Sequence, residues 1–145
     1  MKHINCTKDL IAMLDDTGKV KAPVFLETGV YTNLGALTSF DNIDFGVGCG
    51  LHDLSGIQKI EGVTFSPVCS FIGLTNVTVF KDSQISDNCV FHGLERVKAF
   101  EDLKIGSNCE FCNLHTLENI TRCSFGDETN IFQACSLKSL VDCMF

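Results

Sequence analysis

The chain has 145 residues, a net charge of −7 and 45% hydrophobic side chains, which fits one domain with enough apolar material for a real core. Its 11 Lys and Arg are scattered, which argues against direct binding to a phosphate backbone, where cations must cluster. No stretch approaches the roughly 18 apolar residues of a membrane-spanning helix, and Met1-Lys2-His3-Ile4-Asn5 is not followed by the apolar core of a secretory leader. A cytoplasmic protein is therefore expected, with its odd number of cysteines, nine, held as reduced thiols.

The first predicted element is a helix over residues 7–16. Thr7 reads as its N-cap, Leu10, Ile11 and Leu14 as one apolar stripe, and Gly18 as its stop. Residues 1–16 are thus expected to form a helical cap. Residues 13–32 read as a degenerate first coil. Leu14, Val20, Phe25 and Tyr31 take positions that are apolar throughout the rest of the chain, while Pro23 and Gly29 replace apolar residues or cysteine. Such decay is expected of a terminal repeat, which must seal one end of a stack.

From Asn33 to Phe145 a pattern of 20 residues recurs without insertion or deletion. Counting Asn33 as position 1, position 2 reads Leu34, Leu54, Leu74, Leu94, Leu114 and Ala134. Position 5 holds Leu37, Ile57, Val77, Val97, Leu117 and Leu137. Position 8 holds Phe40, Ile60, Phe80, Phe100, Ile120 and Leu140, and position 13 holds Phe45, Phe65, Ile85, Ile105, Phe125 and Phe145. Cysteine fills position 17 at Cys49, Cys69, Cys89 and Cys109 and gives way to Thr129, and Leu51, Phe71, Phe91, Phe111 and Ile131 fill position 19. Triplets such as Ile43-Asp44-Phe45 and Cys89-Val90-Phe91 alternate with the period of a strand, and the repeat is shorter than any helical-pair repeat. The predicted architecture is an all-β, parallel β-solenoid of 20-residue coils over residues 33–145, within one domain spanning 1–145. Stacking places like residues about 4.8 Å apart along the axis. Gly73, Gly93, Gly106, Gly126 and neighbouring Asp or Asn residues are expected at the corners. Ser83 interrupts the apolar column of Ile43, Val63, Leu103, Cys123 and Cys143 and needs a local hydrogen-bond partner.

The segment Phe91-His92-Gly93-Leu94-Glu95-Arg96-Val97, with Ile105-Gly106 and Cys109-Glu110-Phe111 after it, resembles the BspA-like leucine-rich repeats. Phe132-Gln133-Ala134-Cys135-Ser136-Leu137-Lys138-Ser139-Leu140 is similar to that family's phenylalanine–cysteine–leucine cadence. Residues 33–145 carry the resemblance, although those repeats are somewhat longer and hold a proline missing here. Cys89-Val90-Phe91, Cys109-Glu110-Phe111, Cys123-Ser124-Phe125 and Cys143-Met144-Phe145 resemble the inward Cys-x-Phe pairs of pentapeptide-repeat proteins, whose coils have the same length. The Leu94-x-x-Val97-x-x-Phe100 side steps by three, against a strict five-residue period. Both resemblances imply a parallel solenoid, with different cross-sections. They also imply non-enzymatic roles: adhesion and protein binding for the first, and for some members of the second an imitation of duplex DNA that blocks DNA-handling enzymes. Neither transfers a functional residue to this chain.

Among candidate sites, the Cys49–Cys109 column presents sulfurs in a line rather than a tetrahedron, so it reads as core. Cys109-Glu110-Phe111-Cys112 has metal-motif spacing, but position 17 points inward and position 20 lies at a corner, so the two thiols diverge. Position 20 also stacks His92 under Cys112, with His115 nearby. Without an orienting group or oxyanion donors this pair, with its apolar neighbours Ile72 and Phe132, reads as a contact edge. No catalytic residue, metal or cofactor is expected. Asp41, Glu61, Asp82, Glu101, Asp102 and Asp142 fall at positions 9 and 10 and form an acidic stripe, the candidate partner-binding site. The leading expectation is a non-enzymatic protein-interaction solenoid, in sharper form an acidic inhibitor or DNA mimic of the phage counter-defence kind. A self-assembling structural solenoid is the alternative, and a β-helical carbohydrate-active enzyme ranks last because the unbroken phase leaves no loop insertions. Leu137, Leu140, Cys143 and Phe145 continue inward columns in the final turn, which predicts a homodimer through that layer.

Overall fold

In a computed structural model describing residues 1–145, the chain winds into an all-β parallel solenoid with one short helix, Thr7–Ala12. Each coil from residue 53 to residue 132 contributes three short strands, and strands of successive coils pair in parallel. One face stacks five strands from Lys59–Glu61 to Ser139–Val141, a second stacks four from Thr64–Phe65 to Ser124–Phe125, and a third stacks six from Gly29–Tyr31 to Asn130–Ile131. The register is constant throughout the regular coils: Phe80 pairs with Phe100, Ile85 with Ile105 and Phe91 with Phe111. The remaining side carries no strand. There the amides of Ile57, Val77, Val97 and Leu117 donate to the carbonyls of Leu54, Leu74, Leu94 and Leu114 at 3.1–3.3 Å. The three-residue step of the sequence is therefore a stack of β-turns, which explains why a uniform five-residue period fails on that side.

The corners have a simple chemistry. Every residue with positive φ except Gly18 falls at position 1, 10 or 16 of a coil. The left-handed region favours Gly, Asn and Asp, and these residues dominate all three columns. At position 1, Gly73 and Gly93 share the column with Asn33, Asp53 and Asn113, and side-chain oxygens there accept from the coil before: the Asn33 backbone amide donates to Asp53 Oδ2 at 2.9 Å and the Gly93 backbone amide to Asn113 Oδ1 at 3.0 Å. Gly106 and Gly126, by contrast, do not lie at left-handed corners. A Cβ on Gly126 would stand 2.5 Å from the Gly106 carbonyl carbon, so that glycine serves close approach of the coils rather than chain reversal.

Inside, 37 apolar residues form one continuous core. The rings of Phe71, Phe91 and Phe111 stack at 5.1 and 5.2 Å, with Phe80 packed edge-on against Phe91 at 5.4 Å. Offset and edge-on aromatic pairs add about 0.5–1.5 kcal/mol each beyond area burial. The cysteine column is held by a repeated bond. The thiols of Cys69, Cys89 and Cys109 reach the carbonyls of Gly46, Ser66 and Ser86, each 23 residues back, at 3.2–3.4 Å. Thr129 makes the same bond to Gly106 at 2.8 Å, so the lapse from cysteine keeps the donor. Ser83 finds its partners as well: its hydroxyl donates to the Lys81 carbonyl at 2.9 Å and accepts from the Val63 amide at 3.2 Å.

The N-terminal region departs from the expectation in four ways. The helix covers Thr7–Ala12 rather than 7–16, because Asp15 accepts the Thr17 and Lys19 amides at 2.8 and 3.1 Å and turns the chain out of the helix. Cys6 is the N-cap, and Thr7 Oγ1 instead accepts the Thr32 amide of the adjacent coil at 3.0 Å. Residues 1–16 are also not wholly a helical cap: Lys2–Ile4 forms a strand that pairs with Val24–Leu26, and the Tyr31 hydroxyl reaches the carbonyls of Ile4 and Glu27 at 2.9 and 2.7 Å. The first coil slips by one residue. Leu26, not Phe25, lies over Phe45 and is buried, while Phe25 pairs with the outward Asp44. An extra residue in Lys21-Ala22-Pro23 is offset by a shorter corner at Glu27-Thr28, and Gly29 regains register with Cys49. A one-residue shift exchanges the two faces of a strand, so a strict count misplaces Phe25.

Val68 is the misfit among the corners, a β-branched residue at φ +62° with its side chain 54% exposed. Its column otherwise reads Gly48, Asn88, Asn108 and Glu128. Val68→Asn is expected to raise stability by about 1 kcal/mol, because it relieves left-handed strain without touching the core. Denaturant unfolding monitored by circular dichroism checks this, and a lowered midpoint would show that Val68 makes a stabilising contact.

Candidate functional site

The acidic stripe lies along the edge where the Lys59–Glu61 face turns a left-handed corner. Its two columns have different origins. Position 10 is left-handed in every regular coil, occupied by Asn42, Gly62, Asp82, Asp102, Arg122 and Asp142. Asp82, Asp102 and Asp142 therefore answer a backbone demand as much as a need for charge. Asp41, Glu61 and Glu101 at position 9 answer no such demand.

The stripe is also interleaved with cations. Lys81 and Arg122 occupy the same two columns, and equivalent residues of successive coils are neighbours. Arg122 grips Asp102 through two bonds, Nε to Oδ1 at 2.7 Å and Nη2 to Oδ2 at 3.0 Å. Glu61 lies 2.6 Å from Lys59 Nζ and 3.9 Å from Lys81 Nζ. Hydrogen bonding from Arg122 and Lys59 holds the Asp102 and Glu61 carboxyls below the usual carboxylate range. The small favourable contribution of these exposed pairs is present above the unfolded carboxyl pKa and is lost as pH falls through the folded one. Asp41, Asp82, Glu101 and Asp142 form no close ion pair, although Asp41 lies within the field of Lys59, and Glu101 and Asp142 within that of Arg122. At its N-terminal end Asp41, Lys19, Lys59 and Glu61 line a concavity of about 250 Å³, where two ammonium groups face two carboxylates.

A second constellation sits on the outer side of the six-stranded face. His92 and Cys112 stack as their spacing of one coil requires, with Nε2 and Sγ 3.7 Å apart. The structure adds Glu110, which the sequence reading does not single out. It precedes Cys112 by two positions, so strand alternation puts both on the outer side of inward Phe111. Ligand atoms of His92, Glu110 and Cys112 all lie within 4.8 Å of one another, and each residue is half-buried. The signal is present in the sequence as a Glu-x-Cys pair with a histidine one coil before the cysteine. Burial first, and then the Glu110 charge, push the Cys112 thiol up. That direction opposes thiolate formation.

In the final turn, Leu137, Leu140 and Phe145 are exposed, Phe145 to 78%. Cys143 is half-buried, its thiol directed to the Ile120 carbonyl at 3.4 Å, and the Phe145 ring stacks on Phe125 at 5.1 Å. These side chains continue the inward columns. No helix is long and apolar enough to cross a membrane. No protein-family model, curated protein or solved structure matches the chain.

The thiols divide by depth. Cys49, Cys69, Cys89 and Cys109 are fully buried, Cys6 and Cys135 are exposed, and burial lifts Cys89 to about 12 and Cys123 to about 11. Native labelling with iodoacetamide at neutral pH is expected to modify Cys6 and Cys135 first and Cys112 more slowly. The Cys112 rate should rise as pH passes the ordinary thiol range. The four column cysteines should react only on unfolding, and their early modification in a mass-spectrometric time course would contradict the packing described.

Proposed function

We propose that the chain is a non-enzymatic binding module, a rigid solenoid that presents its charged edge to a basic protein partner. One observation supports this reading above others: Asp41, Asp82, Glu101 and Asp142 stand unpaired along one edge, at intervals set by the coil rise. Anions carried along a stiff scaffold complement a protein groove built for the phosphate backbone of a nucleic acid. In its sharper form the module is an acidic inhibitor that occupies such a groove, the role implied by the pentapeptide-repeat resemblance. Lys81 and Arg122 dilute this edge locally, so the proposal rests on the four unpaired carboxylates rather than on the whole stripe. Self-association is the second reading, favoured by the apolar layer of Leu137, Leu140, Cys143 and Phe145, of which all but Cys143 are exposed.

The test is affinity capture from the native cell with Asp82→Asn, Glu101→Gln and Asp142→Asn combined as the comparison. Asn keeps the left-handed corners, so the fold should survive while the charge is removed. A basic nucleic-acid enzyme bound by the natural chain, released by salt or duplex DNA, and lost with the triple variant is the expected result. Partner binding indifferent to salt, DNA and the three substitutions would overturn the proposal. Self-association alone, seen by sedimentation and lost on Leu140→Lys, would favour the second reading.

A further inference from the structure

We propose that His92, Glu110 and Cys112 form a zinc-binding site on the outer wall of the six-stranded face. The ligand chemistry is mixed imidazole, carboxylate and thiolate, the donor set that suits zinc among common cellular cations. The geometry is close to complete. With Zn–S of about 2.3 Å and Zn–N of about 2.0–2.1 Å, tetrahedral coordination puts sulfur and nitrogen about 3.6 Å apart. Cys112 Sγ and His92 Nε2 are 3.7 Å apart. The carboxylate atom lies within 4.8 Å of the other two, and the flexible Glu110 stem closes the remaining distance.

The scaffold fixes these side chains from below. The His92 amide donates to the Phe71 carbonyl at 2.8 Å and the Cys112 amide to the Phe91 carbonyl at 2.9 Å, so both residues are anchored on neighbouring rungs. Phe111 points into the core between Glu110 and Cys112 and turns both outward. Ile72 and Phe132 hold the same position on the coils before and after, so apolar side chains flank the site along its column. This arrangement differs from the Cys49–Cys109 ladder, whose sulfurs bond backbone carbonyls inside the core. On binding, the Cys112 thiol releases its proton to solvent and the thiolate donates its electron pair to the metal. Three protein ligands leave the fourth position to water or to a donor atom of a bound partner.

The experiment is titration of the reduced full-length chain with cobalt(II), a spectroscopic stand-in for zinc, followed by zinc competition and elemental analysis after dialysis. A sulfur-to-cobalt charge-transfer band saturating at about one equivalent per chain, and bleached by zinc, is expected. Cys112→Ser should abolish the band, and His92→Ala and Glu110→Gln should each weaken binding by about tenfold or more. A Cys6→Ser, Cys135→Ser variant should bind as the natural chain does, because neither exposed thiol belongs to the site. Absence of both the band and retained zinc in the natural chain would overturn the proposal, as would a band that survives Cys112→Ser. Undiminished affinity in Glu110→Gln would remove the carboxylate from the site and with it the three-ligand assignment.

Discussion

A chain that passes over its own track once per coil has to close a full circuit using very short strands, such as Val90–Phe91 and Ala99–Glu101. Three left-handed residues per coil, at positions 1, 10 and 16, supply the reversals that strand geometry alone cannot. Everything else follows from their regular spacing. One residue more or fewer between corners would turn an inward column outward, and the slip at Phe25 and Leu26 shows this happening once, with a compensating change before the next corner. With the corners fixed, Phe lies over Phe and sulfur over sulfur, and the interior becomes one dry column of 37 residues.

The same constraint shapes the exterior. Equivalent residues of successive coils become nearest neighbours, so interactions that would be remote in most folds are local here: Asp102 with Arg122, Glu61 with Lys81, Glu118 with Lys138, and His92 with Cys112. A surface made of ladders is easily misread as a functional pattern. Asp recurs at position 10 partly because a left-handed corner accepts it, and the cysteine column recurs because a small donor must reach a carbonyl of the coil before. Thr129 shows that the hydrogen bond, rather than sulfur chemistry, is what that position requires. Features that the backbone does not demand carry more weight, and Asp41, Glu61, Glu101 and the His92–Glu110–Cys112 group are of that kind.

Much of this is legible in the sequence because the repeat has no insertions from Asn33 onward. The inward columns, the parallel stacking, the polar partners needed by Ser83 and the meeting of His92 with Cys112 all follow from counting in twenties. What counting misses has specific causes. The Lys2–Ile4 strand pairs with Val24–Leu26, a spacing outside the period, and is too short to show alternation. The helix ends early because one Asp15 side chain outcompetes the next turn. Lys81 and Arg122 escape a reading that gathers the stripe by sign of charge rather than by column. Glu110 escapes because the Cys-x-x-Cys spacing draws attention to Cys109, which points the other way.

Nuclear Overhauser contacts report the coil-to-coil register. In an isotopically labelled chain, contacts are expected between the rings of Phe91 and Phe111, whose centroids are 5.2 Å apart, and between the strand backbones of Val90 and Glu110 and of Gln84 and Lys104. Contacts displaced by a single residue in either direction over these same coils, or a dominant pattern of helical neighbours, would contradict it.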